Sequence, residues 1–350
     1  MSIESFAVEV IEGRKKSLFV QGSFYILSLF FRLITTLRHF LYDFGVFRRY
    51  RSSSFIVSVG NIVAGGTGKT PFVRKLVEEC IKNPGSIAIF SRGYRSKKKR
   101  GNLEVSKGQG PIVSSEQAGD EPFWLAEKTK ASIFVGKDRV LSAHLAEKKN
   151  IRVAILEDGF QYRSLERNLD IVLLDALDLF GKGHFLPRGY LRDSPKRLKK
   201  ADVVVVTHIQ ENVNKEDVLR QIREFTKAPV LGFRSSYGLD PEVKGALIGA
   251  FCGIAKPDLF YLALEDIGCS IVEKLTSLDH MMPSLEDLEH FALDCKSKGA
   301  KFLVCTEKDL VKFSNKKSLS LPVVVLKMDF ECIWNEKFWK EMCESIKNRV

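Results

Sequence analysis

The stretch from Val59 to Val73, VGNIVAGGTGKTPFV, decides how the rest of the chain is interpreted. The apolar run FIVSV leads into it and predicts a strand, while the residues from Lys69 onward have the spacing of a helix. A strand, a glycine-rich turn and a helix start form the arrangement in which backbone amides converge on phosphate. The stretch therefore predicts a loop that binds the phosphates of a nucleotide.

The loop departs from the strict G-x-x-x-x-G-K-[ST] pattern at its first position, where Val63 replaces glycine. The glycines that follow still permit close approach and positive φ, and Pro71 suits a first helical turn. The alternative is an ordinary surface turn before a helix. The residues expected to bind the nucleotide, with the lysine on the β- and γ-phosphates and the last threonine on Mg²⁺, are Gly65, Gly66, Thr67, Gly68, Lys69 and Thr70.

Short apolar runs alternate with helix-length segments from Phe55 onward, which predicts an α/β fold: a P-loop NTPase-like parallel sheet with helices on both faces. Strands are expected at 55–59, 86–90, 132–135, 151–156, 170–174 and 202–207, and helices at 69–82, 116–130 and 137–149. A second series of strands, at 229–234, 245–251, 302–305 and 322–327, predicts a smaller C-terminal α/β domain, with a last helix at 335–348 packing back on the first domain. The expected division is a helical N-terminal segment (1–51), a P-loop kinase domain (52–228) and the C-terminal domain (229–350).

A nucleotide loop of this type needs an acid at the end of a neighbouring strand to hold Mg²⁺. Two predicted strands end in acids, IRVAIL at Glu157-Asp158 and DIVLL at Asp175. The first is favoured because EDGFQ adds a glycine turn at the strand end. The expected metal ligands are therefore Thr70, Asp158 and Glu157, and a solvated acidic pair is the alternative.

The N-terminal segment is rich in Phe, Leu and Ile. Its uncharged run extends only from Ser17 to Phe31, which is shorter than a membrane span needs. Basic clusters lie at 14–16 and 47–51. A long amphipathic helix on an anionic membrane surface is the favoured interpretation. A helix packed on the protein's own core and a true span are the alternatives, and the sequence lacks the cleavage site of a secretory signal.

Lys and Arg total 55 against 43 Asp and Glu, a formal net charge of +12, which favours polyanionic partners. No nucleic-acid-reading motif is present, so we expect no nucleic acid partner, and nothing points to an obligate protein partner. The odd number of cysteines, seven, with no C-x-x-C pair, indicates reduced thiols.

The string NKED at 214–217 raises the question of GTP against ATP. In GTPases this string directly follows a strand, whereas here HIQENV intervenes after DVVVVT. We therefore interpret Asn214 as the N-cap of a helix at 215–226 and prefer ATP. The alternative function is a P-loop GTPase or metallochaperone-like switch protein.

Several short motifs occur in a fixed order after the loop: SRGY (91–94), GDEP (119–122), GKDRV (136–140), EDGFQ (157–161), FLPRGYLRD (185–193), DH (279–280) and TEKDLVKF (306–313). Together they resemble the tetraacyldisaccharide 4′-kinases, which phosphorylate the lipid A precursor at the cytoplasmic face of the bacterial inner membrane. The resemblance extends from the N-terminal helix to residue 313. The family's loop also has the form GGTGKT, so Val63 agrees with it.

The resemblance implies ATP and Mg²⁺ as cofactors, a lipid A disaccharide precursor as acceptor, and an active site in the cleft between two domains. By position, Asp120 matches the family's catalytic aspartate and His280 its partner, with Lys69 on the phosphates. Arg139, Arg192 and Tyr94 match positions that handle acceptor or phosphate.

Two departures from the family pattern concern the EDGFQ motif. The family usually has two aspartates where this chain has Glu157-Asp158, so a longer side chain stands at the first position. The family commonly has histidine where Tyr162 stands, and a tyrosine can hydrogen-bond but carries no charge near neutral pH.

Overall fold

The structure is a computed structural model that describes residues 10–12, 17–93, 96, 101–254, 256–277, 283–312 and 319–350. Twelve strands form one sheet in the order β10-β9-β11-β12-β8-β7-β6-β1-β5-β2-β4-β3. The strands are β1 (Phe55–Asn61), β2 (Ile87–Ser91), β3 (Leu103–Lys107), β4 (Ser132–Val135), β5 (Val153–Glu157), β6 (Leu169–Asp175), β7 (Val203–Thr207), β8 (Val230–Gly238), β9 (Leu247–Cys252), β10 (Ser270–Thr276), β11 (Phe302–Thr306) and β12 (Val323–Trp334).

Helices cover both faces of this sheet. They are α1 (Leu18–Asp43), α2 (Lys69–Cys80), α3 (Ser115–Ala118), α4 (Asp120–Lys128), α5 (Arg139–Glu147), α6 (Lys215–Arg223), α7 (Pro257–Asp266), α8 (Leu285–Ser297), α9 (Glu307–Lys312) and α10 (Glu336–Lys347). Short 3₁₀ segments lie at Gly181–Gly183, Pro195–Lys200 and Pro241–Val243.

The alternation of side chains along β1 builds two apolar layers. Val57 and Val59 pack with α2, α4 and α10 on one face, whereas Ile56 packs with α5 on the other. Successive residues of a strand point to opposite faces, so a strand that is apolar at every position must be covered twice. The predicted arrangement of helices on both faces is confirmed.

The sheet is mixed, whereas a parallel sheet was expected. β3 pairs antiparallel with β4 at one edge, and β12 pairs antiparallel with β8, which joins the strands after Pro229 to those before it. The pattern missed β3 and β10 because each has few apolar positions, and Val105 is the one among them that is fully buried. It also ended the last strand at 327, although β12 continues to Trp334.

Helix α1 exposes much of its apolar surface. Leu18 and Phe19 are 90% and 85% exposed, and nine further large apolar side chains in the helix are also exposed. By length and composition, it is the one helix in the described part of the chain that could cross a membrane. The basic cluster at 14–16 lies outside the described residues. All seven cysteines are free, as expected from their number and spacing.

Candidate active site

The loop between β1 and α2 is held by hydrogen bonds from buried polar side chains. The Asn61 amide donates to the Thr67 hydroxyl over 2.9 Å, and the Thr207 hydroxyl donates to the Thr67 carbonyl over 3.1 Å. Gly65 and Gly68 have φ values of 106° and 73°, in a region that residues other than glycine rarely adopt. These ties fix a turn whose end is the first residue of α2.

Lys69 is the first residue of α2, at the end where the helix amides have no partner within the helix. Its Nζ atom is 3.7 Å from Oδ1 of Asp158. Burial lowers the pKa of Lys69, while the nearby carboxylates of Asp158, Glu121 and Glu157 oppose that shift. An ammonium at a helix N-terminus is an arrangement that favours the binding of an anion.

Two carboxyl groups converge on the Thr70 hydroxyl. The Thr70 Oγ1 atom lies 3.0 Å from Oε1 of Glu157 and 3.1 Å from Oε1 of Glu121. Burial, together with the charge of Glu121, raises the pKa of Glu157 to about 7. One hydroxyl proton cannot bond both acids at once, and the Lys308 ammonium, which donates to Glu121 Oε1, offsets part of their negative charge.

Asp158 follows Glu157 directly but faces cations. Burial opposes its ionisation, yet Lys69 and the bidentate contact with Arg192, at 2.8 and 2.9 Å, lower its pKa to about 2. Its φ of 52° turns the backbone sharply at the end of β5. Arg192 also donates to Oδ1 of Asn61 over 3.2 Å, which ties the pair to the base of the loop.

Arg139 is buried at the start of α5 and stacks over the Tyr162 ring, with 4.8 Å between the guanidinium carbon and the ring centroid. The Tyr162 hydroxyl accepts from the Arg139 backbone amide over 3.0 Å. Burial lowers the pKa of Arg139, and the charge of Asp158 opposes this shift. The Tyr162 ring thus packs against the guanidinium and helps to orient it.

The GDEP motif reaches the site through α4. Asp120 is the first residue of that helix, and the next residue, Glu121, contacts the Thr70 hydroxyl. The Lys308 ammonium donates to Glu121 Oε1 over 2.7 Å, and Lys128 pairs with Glu307 over 2.7 Å. The TEKDLVKF motif therefore supplies α9, which packs on α4 and reaches the Thr70 cluster from the C-terminal part of the chain.

The sequence correctly indicated which strand end lies beside the loop, but it did not predict every neighbour. The structure brings Lys69, Thr70, Glu157, Asp158 and Arg192 together, with Arg139 near Asp158. Tyr94 and His280 lie outside the described residues, as do residues 97–100. Within the described ranges, no three His, Cys, Asp or Glu side chains form a ready-made metal cluster. Glu121 and Lys308 were missed because only the packing of α4 and α9 brings them to Thr70.

Asn214 caps α6 as interpreted from the sequence. Its side-chain oxygen accepts from the Asp217 amide over 3.1 Å, and β7 has already ended at Thr207. The NKED string is therefore a helix start and lies away from a strand end.

Comparison with known proteins places this geometry in context. A family model described as LpxK, tetraacyldisaccharide-1-P 4′-kinase, matches residues 21–347. A tetraacyldisaccharide 4′-kinase of Syntrophus aciditrophicus is 36% identical over 347 residues, 92% of this chain and 92% of the relative. One of Chlamydia trachomatis is 33% identical and covers 83% of this chain and 81% of the relative. A crystal structure described as the "apo" form of LpxK from Aquifex aeolicus in complex with ATP has a TM-score of 0.75 at 29% identity, covering 93% of this chain and 99% of that one.

Proposed function

The chain belongs to the tetraacyldisaccharide 4′-kinase family, and from this membership we propose how its residues transfer phosphate from ATP to the 4′-hydroxyl of the lipid A precursor. It is a kinase of lipid A biosynthesis, and its acceptor is the tetraacyldisaccharide 1-phosphate. The observation that carries the residue assignment is that Lys69 contacts Asp158 and Thr70 contacts Glu157 at the start of α2.

The loop Gly65 to Thr70 acts as a P-loop that binds the phosphates of ATP. The helix amides of α2 and the Lys69 ammonium supply positive charge at one place, and a polyphosphate there would hold Lys69 in its charged form. The Thr67 ties to Asn61 and Thr207 keep the loop in this shape before the nucleotide binds. Preorganised charge of this kind stabilises a transferring phosphoryl group.

The acids around Thr70 fit Mg²⁺, because the crowded Thr70, Glu157 and Glu121 oxygens form the hard oxygen set that this ion prefers. Thr70 and Glu157 would hold the ion, and Asp158 would join them when Arg192 turns from it towards a phosphate. Held there, the ion would supply positive charge that offsets the charge of the ATP phosphates. A cation would also keep Glu157 ionised at neutral pH, against the burial that raises its pKa.

Acceptor activation is assigned to Asp120, with His280 as its partner on the family pattern. A sugar hydroxyl loses its proton late in phosphoryl transfer, and a carboxylate beside it can accept that proton. Asp120 directly precedes Glu121, whose carboxylate contacts the Thr70 hydroxyl. Arg139 has a buried Nε atom without a hydrogen-bond partner in the described part of the chain, which suits an anionic group, and Tyr94 completes the acceptor-handling set.

Helix α1 brings the enzyme to the cytoplasmic face of the inner membrane, where it lies in the surface. Tyr25 contacts Arg188, Phe31 contacts Phe185, and His39 pairs with Asp193, so one side of α1 follows the protein body. A spanning helix would have to leave these partners. The apolar side of α1 faces outward, and exposed lysines lie on the neighbouring segment, at Lys182, Lys196, Lys199 and Lys200.

The division into residues 1–51, 52–228 and 229–350 is kept as a proposal. Its support is that the loop and both β5 acids belong to the middle part, whereas Lys308 approaches Glu121 from the last part. A site built from both parts would close over the acceptor when they approach.

Transfer assays with purified protein, ATP, Mg²⁺ and the acceptor in detergent micelles test this assignment. We expect the 4′-phosphorylated product with ATP and far less with GTP, and a loss of at least about 100-fold in kcat/KM for Lys69→Ala. The matched control is Lys75→Ala on the same helix, whose Nζ pairs with the outlying Glu79. Unchanged turnover in Lys69→Ala would contradict the assignment.

A further inference from the structure

A second cluster of titratable side chains lies at the same edge of the sheet, across β1 from the β5 acids. Asp175 ends β6, and His208 follows the last residue of β7, two strands that lie in order beyond β1. Neither Asp175 nor His208 has a role in the phosphate transfer proposed for Lys69, Thr70 and Asp158. Their position at the carboxyl ends of parallel strands, beside the nucleotide loop, is where α/β proteins bind ligands.

Asp175 is buried and has two side-chain partners, His208 and Lys256. His208 Nδ1 lies 2.8 Å from Asp175 Oδ2, and the Lys256 ammonium donates to the same oxygen. Burial opposes the ionisation of Asp175, but His208 and Lys256 outweigh it and lower its pKa. A carboxylate held in this way fixes the orientation of the imidazole ring.

The ring of His208 faces the start of α2. Because Nδ1 is used by Asp175, Nε2 is the nitrogen left for a ligand, and a Cβ atom placed on Gly68 would lie 3.6 Å from it. His208 has a φ of 54°, an uncommon conformation for a residue with a Cβ, which the surroundings hold in place. The adjacent Thr207 hydroxyl donates to Thr67, so the turn that carries His208 is also tied to the loop.

Lys256 comes from the C-terminal part of the chain, immediately before Pro257 begins α7. Its side chain is about one-third exposed, whereas Asp175 is almost fully buried, so the contact reaches from a surface segment into the sheet edge. The cluster therefore joins the nucleotide side of the site to the C-terminal part, at a point separate from the Lys308–Glu121 contact.

We propose that His208 binds a phosphate oxygen of the nucleotide through Nε2, with Asp175 and Lys256 as positioning residues that orient the ring. The inference rests on the proposed phosphate-binding role of the Gly65–Thr70 loop. With Nδ1 donating to Asp175 and Nε2 to phosphate, the imidazole is positively charged, and both anions stabilise that charge. His208 thus adds a further positively charged donor to the helix amides and the Lys69 ammonium, from the β7 side of the loop.

Calorimetric titration of ATP and ADP tests this proposal with two matched variants. His208→Asn keeps a donor near Asp175 and tolerates positive φ, but it lacks an atom at the Nε2 position; His208→Gln reaches that position. We expect His208→Asn to weaken ATP and ADP binding about tenfold or more, and His208→Gln to recover most of it. KM for ATP should rise more than kcat falls, and Lys256→Met should weaken ATP binding by less than His208→Asn.

Thermal unfolding of each variant separates binding from folding. An ATP affinity of His208→Asn equal to that of the unmodified protein would overturn this inference, provided that Lys69→Ala weakens ATP binding. Loss of affinity in both Asn and Gln variants together with a lowered Tm would also overturn it, because the role would then be structural. If neither Lys69→Ala nor His208→Asn changes ATP affinity, the proposed phosphate site itself is wrong.

Discussion

Two neighbouring pockets at the end of β5 shift the pKa values of consecutive carboxyl groups in opposite directions. The pocket of Glu157 lies among Thr70, Ser91 and Glu121, and burial raises its pKa to about 7. The pocket of Asp158 is also buried, but Lys69 and Arg192 lower its pKa to about 2. Burial is common to both, so the cations decide the difference. The end of β5 thus carries one acid with a lowered pKa, Asp158, and one with a raised pKa, Glu157, which a nearby cation would help to ionise.

The largest expected effect comes from removing the charge of the ionised acid. Asp158→Asn leaves Lys69 and Arg192 without their shared counterion, so both are misplaced for phosphate binding. We expect kcat/KM to fall by about two to three orders of magnitude in the transfer assay. Arg192→Lys keeps the charge but loses the bidentate contact and should show a smaller fall. A change of less than threefold in Asp158→Asn would show that the two pockets do not differ in function.

A smaller effect is expected on stability when the other acid is changed. The pKa of Glu157 is raised from 4.5 to about 7 in the folded protein. Its contribution to stability is therefore fully present below pH 4.5 and is lost as the pH rises through 7. The Glu157→Gln variant carries no charge at this position. In the absence of Mg²⁺, the difference between its free energy of unfolding and that of the unmodified protein should therefore rise by about 2 kcal/mol from pH 5 to pH 8.

Urea unfolding at several pH values measures this gain. Asp158→Asn serves as the opposite case: because the pKa of Asp158 is lowered, its contribution is present above the usual pKa and lost as the pH falls towards 2. The two variants should therefore differ from the parent in opposite pH ranges. Parallel pH profiles for both would contradict the contrast between the pockets.

The smallest effect is expected for an acid that has a close cation but no burial. Asp217 lies 2.6 Å from Arg220 on the exposed side of α6, where both side chains are more than half exposed. Asp217→Asn should change the free energy of unfolding by less than about 0.5 kcal/mol, because solvent screens such pairs. A larger loss would mean that a close ion pair stabilises this protein without burial.

Much of the fold was predictable because its strands are buried on both faces. β1, β5, β6 and β7 are nearly continuous Val, Ile and Leu runs, which the sequence shows directly. β3 and β10 were not predicted, since edge strands are only partly buried and carry polar residues at several positions. The antiparallel pairing of β12 with β8 was not predicted either, because the direction of pairing depends on the route of the chain and leaves no local pattern in the sequence.

The site shows the same division between motifs and packing. The loop, Glu157-Asp158 and the cap at Asn214 are each recognisable within a few residues of sequence. Glu121, Lys308 and the His208–Asp175–Lys256 cluster are not, because their partners lie far away along the chain and are met only when helices and strand ends converge.

The sequence by itself determined the family, the reaction class and the strand–loop–helix unit that carries Lys69, because local spacing and composition encode these. Only the tertiary structure decided which carboxyl group is ionised, which arginine neutralises it and which side of α1 is left exposed. The physical reason is that charge and burial depend on neighbours in space. Glu157 and Asp158 are adjacent in the chain, yet the groups around them give their pKa values opposite shifts.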